Sequence, residues 1–418
     1  MDIPSTVEKS ADVSGTTEGA LPASASVHPK EDSRGRADAV ADEVPLITSA
    51  TRIPALDGLR GIAILLVLVW HVLYQLHDNP GIFYYPVMAG RLMWSGVDLF
   101  FVLSGFLIGG ILLDATSSPR YFTTFYARRA FRILPIYAVL VGLCSVRFLP
   151  SQWMPASLGN LSASDLPWAS YLTFTQNLWM AGRGVGGIGT LSPTWSLAIE
   201  EHFYQLVPLI IRKTPRARLT ILLLAFVVGA PLLRIALLHC YRYGAMAAVV
   251  LMPCRADGLS LGVLSALLVR DRRSWDFVVA RRSTLWKAAA VLFVGVGVLT
   301  YEAGRAGLNE TVTFSWLALF YTCGLLLALS GREGLMQRVL TARPLMWLGG
   351  VAYFMYLFHL PVIEVFRRMI SRHAARPNDP AVVIFIYLLG LAVTLVLAEI
   401  SWRFFENPMI RRGRSFTY

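Results

Sequence analysis

Ten apolar runs dominate this chain, near residues 58–76, 93–113, 131–149, 194–212, 219–239, 245–269, 287–303, 313–331, 345–366 and 381–403. Each is about as long as a helix needs to be to cross ~30 Å of hydrocarbon. Hydrophobic residues make up 55% of the chain and charged ones only 15%, so these runs read as membrane spans and not as the cores of soluble domains. The expectation is an all-α, polytopic membrane helix bundle of about ten transmembrane helices. An eleventh apolar stretch, 168–181 (WASYLTFTQNLWMA), is short and dotted with Thr, Gln and Asn. It reads as re-entrant or interfacial, because irregular backbone at membrane depth must be covered by protein or water.

The charges set the direction. With both termini inside, 27 of the 38 Lys and Arg fall on the cytoplasmic side, which predicts an N-in, C-in protein of the inner (cytoplasmic) membrane. The outer stretch 150–167 holds no basic residue, whereas the outer loop with Arg367, Arg368, Arg372 and Arg376 runs against the rule and points to an anionic partner outside. The net charge of +12 is accounted for by these loops, so no nucleic-acid partner is expected. Residues 1–51, rich in Ser, Ala, Asp and Glu and without aromatics, read as a disordered cytoplasmic tail. The membrane domain runs over 52–412, and 413–418 form a short cytoplasmic tail. No cleavable signal peptide is read, because the first apolar stretch begins only near residue 56. The four cysteines show neither zinc spacing nor a disulfide framework, and the seven histidines show no metal-binding spacing, so no metal or bound cofactor is expected.

Ionisable residues inside the spans carry the functional signal, since each costs about 2.5–3.5 kcal/mol at a helix centre on insertion scales. Here they recur: Arg60, His71, Asp98, Glu200, Glu201, His202, Arg255, Asp257 and His359. So many imply a shared polar cavity. Arg60 and His71 stand three helical turns apart on nearly one face, roughly 16 Å along the axis. Histidine is the side chain best suited to take a proton near neutral pH, although a helix-to-helix hydrogen bond explains His71 as well. Arg60 also fits a guanidinium that reaches for the interface. In TWSLAIEEHFY, Ser196 and Glu200 share a face and Glu201 points about 100° away. Arg129 and Arg132, three apart in FYARRAFRILPIY, form a pair fit to clamp the phosphates of a cytosolic carrier, or a topogenic charge cluster. Arg255 and Asp257 in PCRADGLSLG fit a site or a structural ion pair equally. Gly182, Gly184 and Gly187 match GxGxxG, but no strand precedes them, and they read as a loop.

Together these stretches resemble the acyltransferase-3 family of integral-membrane acyltransferases over about residues 52–412. The resemblance lies in LDGLRG with Arg60 and His71 as an R-x10-H pair, GVDLFFVLSGFLI, FYARRAFRILPIY, TWSLAIEEHFY, RADGLSLG, GGVAYFMYLFHLP and FFENP, in that order. It implies transfer of an acyl group, commonly acetyl from acetyl-CoA, to a hydroxyl of a carbohydrate, glycolipid or glycosylated small molecule. Arg60 and His71 take the family's R-x10-H pair and Arg129 and Arg132 its R-x-x-R pair. One departure is Ala352-Tyr353, where the family often has Ser-Tyr. Some relatives carry a fused periplasmic esterase-like domain; this chain is expected to act alone or with a separate periplasmic partner.

A thioester is already activated, so the chemistry needs a base for the hydroxyl and positive charge for the oxyanion. The expected catalytic residues are therefore His71, oriented by Glu200 or Glu201, and Arg60. Arg129 and Arg132 are the expected acyl-CoA contacts, and Asp98, Arg255, Asp257 and His359 the expected substrate-binding groups. His71 as a covalent acyl carrier remains an open alternative. The competing class is a multi-span secondary transporter of a small polar solute, which would also bury His, Glu and Arg.

Overall fold

Among the described residues every one of the ten apolar runs is helical, but two of them break. The computed structural model describes residues 47–48, 51, 53–76, 90, 92–145, 166–302, 309–331, 333–371 and 379–418. The proposed N-terminal tail lies almost wholly outside them, as do Arg372 and Arg376. Among the described residues the structure is helical and contains no strand. In chain order the helices are α1 (Pro54–Gln75), α2 (Gly96–Asp114), α3 (Tyr121–Cys144), α4 (Ala169–Leu172), α5 (Gln176–Arg183), α6 (Thr194–Lys213), α7 (Arg216–Cys240), α8 (Gly244–Val250) and α9 (Ala256–Leu268). They continue as α10 (Arg272–Ala280), α11 (Arg282–Glu302), α12 (Asn309–Ser330), α13 (Leu335–Leu340), α14 (Arg343–Gly350), α15 (Ala352–Ser371), α16 (Pro380–Ser401) and α17 (Asn407–Arg414).

Among the described residues, six helical segments are long and apolar enough to cross a membrane, and up to eight if each of two bent pairs counts as one span. The bent pairs are Gly244–Val250 with Met252–Leu268, at 66°, and Arg343–Gly350 with Ala352–Ile370, at 73°. The other two of the ten runs lie in α3 and α6, which are long enough but carry the charged residues of the site. By length and composition, six to eight crossing helices are therefore shown among the described residues.

The run placed at 131–149 is shifted: α3 begins at Tyr121, so Arg128, Arg129 and Arg132 sit inside the helix and not at a loop entrance. Arginine is a good helix former, and its long stem can lie along apolar surface. The charged start of α3 is thus no barrier to helix formation.

α2 is the central post, with 72% of its spanning window buried, against 11% for the lipid-facing α11. Its closest partner is α9. A Cβ on Gly105 would lie 2.0 Å from the Leu259 carbonyl oxygen, and one on Gly262 2.3 Å from that of Val102. Only hydrogen fits at that crossing, which is how small residues let membrane helices touch. The same device seats α14 on α1, where a Cβ on Gly349 would meet the Asp57 carbonyl at 1.9 Å.

The stretch 168–181 becomes two short helices, α4 and α5, separated by Phe174 at a positive φ of 55°. Neither has the length to cross. Its polar residues are the ones that seat it. Gln176 donates to the Thr194 carbonyl at 3.0 Å, and Asn177 to the Val250 carbonyl at 3.1 Å, an acceptor left open where α8 ends. The following glycines turn the chain, with Gly184 and Gly187 at φ of 70° and 74°. At the other end, 413–418 is not free of the bundle. Thr124 donates to the Thr417 carbonyl at 2.9 Å and Arg128 to that of Phe416 at 2.8 Å.

Candidate active site

α1, α2, α3, α6 and the break between α14 and α15 enclose a cavity of about 220 Å³. Its polar wall carries Arg60 from α1, Arg129 and Arg132 from α3, and Glu200 from α6. Its apolar wall follows one face of α2, through Phe100, Leu103, Leu107 and Ile111, the spacing expected of a single helical stripe. Four residues singled out in three separate segments of sequence therefore meet in one place. Arg60 is held by Asp57 one turn earlier, at 3.0 Å.

Glu200 anchors the polar end. Ser104 donates to its Oε1 at 3.0 Å and Tyr204 to its Oε2 at 2.6 Å, with the two hydroxyls 3.3 Å apart. The Arg129 guanidinium lies over the Tyr204 ring, 5.8 Å from its centroid. Across the cavity, the Ser196 and Tyr356 hydroxyls stand 2.6 Å apart, and Tyr356 also donates to the Pro193 carbonyl at 2.8 Å. Tyr353, beside the departure at Ala352, turns its hydroxyl to the Ile133 carbonyl at 3.0 Å. Sequence reasoning missed Ser104, Tyr204 and Tyr356. The available signal was geometric: Glu200 and Tyr204 are four apart and share a helix face.

His71 is not among the residues lining this cavity. Its Nδ1 lies 2.8 Å from the Val67 carbonyl, which can only accept, so that nitrogen carries the proton and Nε2 keeps its lone pair. The expected orienting carboxylate is thus replaced by a backbone carbonyl. Glu200 is engaged in the cavity, and Glu201 has a buried Oε1 without a hydrogen-bond partner. His359 repeats the arrangement. Its Nδ1 is 2.8 Å from the Met355 carbonyl, its ring is fully buried, and its Nε2 is unpartnered. The two imidazoles meet edge to face, 4.8 Å between centroids. Tyr356, 6.3 Å from the His359 ring, stands between this pair and the cavity.

The other expected substrate-binding residues lie elsewhere. Asp98 pairs with Arg255, and Asp257 pairs at 2.8 Å with Arg234, which also donates to Ser315 at 2.6 Å. All four charged side chains are buried. Arg234 further donates to the carbonyls of Cys254 and Thr311, so it satisfies backbone where α8 and α9 part. The Arg255 guanidinium lies 3.6 Å from the Phe314 centroid. Asp98, Arg255 and Asp257 thus belong to a charge-balanced ion-pair network outside the cavity lining, in which Asp98 Oδ2 and Arg255 Nη1 have no hydrogen-bond partner. Arg367 and Arg368 share one carboxylate, Glu364, at 2.6 and 2.7 Å, which offsets only part of the positive charge noted there.

Comparison with known proteins agrees with the family resemblance. An acyltransferase domain model matches residues 53–399. The chain belongs to the acyltransferase-3 family. Among its relatives, the peptidoglycan O-acetyltransferase OatA of Listeria monocytogenes is 28% identical over 388 residues, covering 86% of this chain and 56% of that protein. The O-acetyltransferase OatA of Staphylococcus aureus is 26% identical over 386 residues, covering 86% and 58%. The chain thus spans a little over half the length of these acyltransferase-3 relatives. No solved structure matches it.

Proposed function

We propose that this acyltransferase-3 chain is an integral-membrane O-acyltransferase that moves an acetyl group from acetyl-CoA to a hydroxyl of a cell-envelope carbohydrate. Peptidoglycan, the substrate class named for its relative in Listeria, is the first acceptor to try. The observation that carries this reading is the convergence of Arg60, Arg129 and Arg132 with a single carboxylate, Glu200, on one cavity. With Asp57 paired to Arg60 behind the lining, three guanidiniums against two carboxylates still leave an excess of positive charge in a low-dielectric wall. That excess suits the phosphates of a coenzyme and the oxyanion of its thioester. A solute transporter has no need of it.

In this reading Arg129 and Arg132 bind the coenzyme phosphates from the cytoplasm, and Arg60 polarises the thioester carbonyl. His71, with Nε2 free to accept, takes the proton of the acceptor hydroxyl. Both termini are cytoplasmic and all ten runs cross, α3 and α6 included, in the cytoplasmic membrane. The test is purified protein in liposomes supplied with acetyl-CoA and peptidoglycan fragments. Acceptor-dependent CoA release and an acetyl mass increment on the glycan are expected. Counterflow of a labelled solute without CoA release would overturn the proposal.

A further inference from the structure

Four hydroxyls line the cavity besides that of Tyr204: Ser104, Ser196, Tyr353 and Tyr356. Their partners separate them. Tyr353 and Tyr356 donate to backbone carbonyls, and Ser196 bonds Tyr356 and the Pro193 carbonyl at 3.2 Å. Only Ser104 and Tyr204 donate to a base, and it is the same base, Glu200. Tyr204 is buried, with its ring under Arg129, whereas Ser104 is half-buried on the cavity wall. A mid-helix serine ordinarily returns its hydroxyl to a carbonyl one turn back. Ser104 instead reaches across to α6, in the arrangement of a nucleophile with an adjacent general base held by a third group.

The cavity's size gives that arrangement a purpose. Its roughly 220 Å³ lies below the ~300–1,000 Å³ of sites that enclose a drug-sized ligand. A space of that size favours taking the coenzyme arm and the sugar in turn. His71, moreover, is outside the lining, whereas Ser104 stands on it.

We propose that Ser104 carries the acyl group between two half-reactions; this rests on the acyl-CoA reading above. In the first, Ser104 Oγ attacks the thioester carbonyl and its proton passes to Glu200. The carbon–sulfur bond breaks, and the coenzyme leaves as a thiolate that takes its proton from cytosolic water. In the second, the acceptor oxygen attacks the Ser104 ester while His71 takes the hydroxyl proton. The carbon–Oγ bond breaks, Glu200 returns its proton to Ser104, and His71 releases the other to solvent. Tyr204 is a positioning residue that holds the Glu200 carboxylate.

The experiment uses the full chain in nanodiscs with radiolabelled acetyl-CoA and no acceptor. One CoA released per enzyme is expected, with the label on the peptide that contains Ser104. Ser104→Ala should bind acetyl-CoA but take no label. Ser104→Cys should take a label that hydroxylamine removes, and His71→Ala should take the label and fail to pass it on. Label persisting in Ser104→Ala would overturn the proposal. So would acceptor-dependent transfer at normal rate from a wild type that never labels. Absence of CoA release even with acceptor would instead overturn the acyl-CoA reading itself.

Discussion

Two groups of intramembrane charge lie on either side of α2, and they differ in one respect. In the Asp98–Arg255 and Arg234–Asp257 network two carboxylates meet two guanidiniums, all buried, and a hydroxyl and backbone carbonyls take further donors. In the cavity three guanidiniums meet Glu200 and open space, with Asp57 behind Arg60 as the second carboxylate. From sequence the groups look alike, because each is a set of costly residues in apolar runs. Balance of charge is what separates them: a neutral, buried set ties helices together, and an unbalanced one beside open space has charge left for a ligand. Phe101 touches both, lining the cavity while the Arg255 guanidinium lies 5.4 Å from its ring centroid. The network therefore sets the position of one cavity wall without joining the chemistry.

The largest effect should come from a residue on neither side of that comparison. Removing a general base typically costs about 10²–10⁴-fold in rate. His71→Ala should lose acyl transfer by that factor at matched membrane protein levels, with insertion and thermal stability close to wild type. Near-normal turnover would reduce His71 to a packing contact with His359.

Next comes the charge-balanced network. Taking one partner from a buried ion pair costs about 3–5 kcal/mol, because the other charge stays buried and unpaired. Asp257→Ala should therefore lower the yield of folded protein in detergent and its melting temperature. Asp257→Ala combined with Arg234→Met should recover much of that loss. If Asp257→Ala were stable but unable to bind acceptor, the network would be part of the site after all.

These two sets of variants also show what could be read in the chain beforehand. The runs were legible because ~20 apolar residues leave a helix few alternatives in lipid. The breaks were not, although Pro253 sits just past one of them, because a bend depends on which neighbour satisfies the freed carbonyls. Here that is done by Asn177 and Arg234, far away in sequence. Arg60, Arg129, Arg132 and Glu200 stood out because charge is rare in apolar runs. Ser104 and Tyr356 did not, since hydroxyls cost little there and are marked only by what they touch. The grouping of Asp98, Arg255 and Asp257 with the site was a reading that counted charges but could not pair them. Arg234, the fourth member, enters from α7.

A smaller effect is expected at the Arg129 and Arg132 end of the cavity. A hydrogen bond to a charged group contributes about 1.5–3 kcal/mol, and 1.36 kcal/mol corresponds to a tenfold change. Arg129→Gln and Arg132→Gln should each raise KM for acetyl-CoA by roughly 10- to 100-fold, with a lesser change in kcat. A rise confined to the acceptor's KM would mean that the open charge faces the sugar and not the coenzyme. That outcome would keep the contrast between the two groups but reverse the direction from which the cavity is loaded.

The smallest effect tests whether lining the cavity is enough to matter. Tyr353 lines it, yet its hydroxyl is already satisfied by the Ile133 carbonyl, one residue beyond Arg132 on α3. A neutral hydrogen bond of this kind contributes about 0.5–1.5 kcal/mol. Tyr353→Phe should therefore cost a degree or a few in Tm, read by thermal unfolding in detergent, while transfer stays within a few-fold of wild type. The ring keeps the wall in place, and the lost hydroxyl has tied α15 to α3 without facing the reacting groups. A loss of transfer as large as that of His71→Ala would show that the Ile133 bond opens during turnover and frees the phenol for the substrate. Tyr353 would then join Ser104 and Glu200, and the rule that satisfied groups are structural would fail inside the cavity itself.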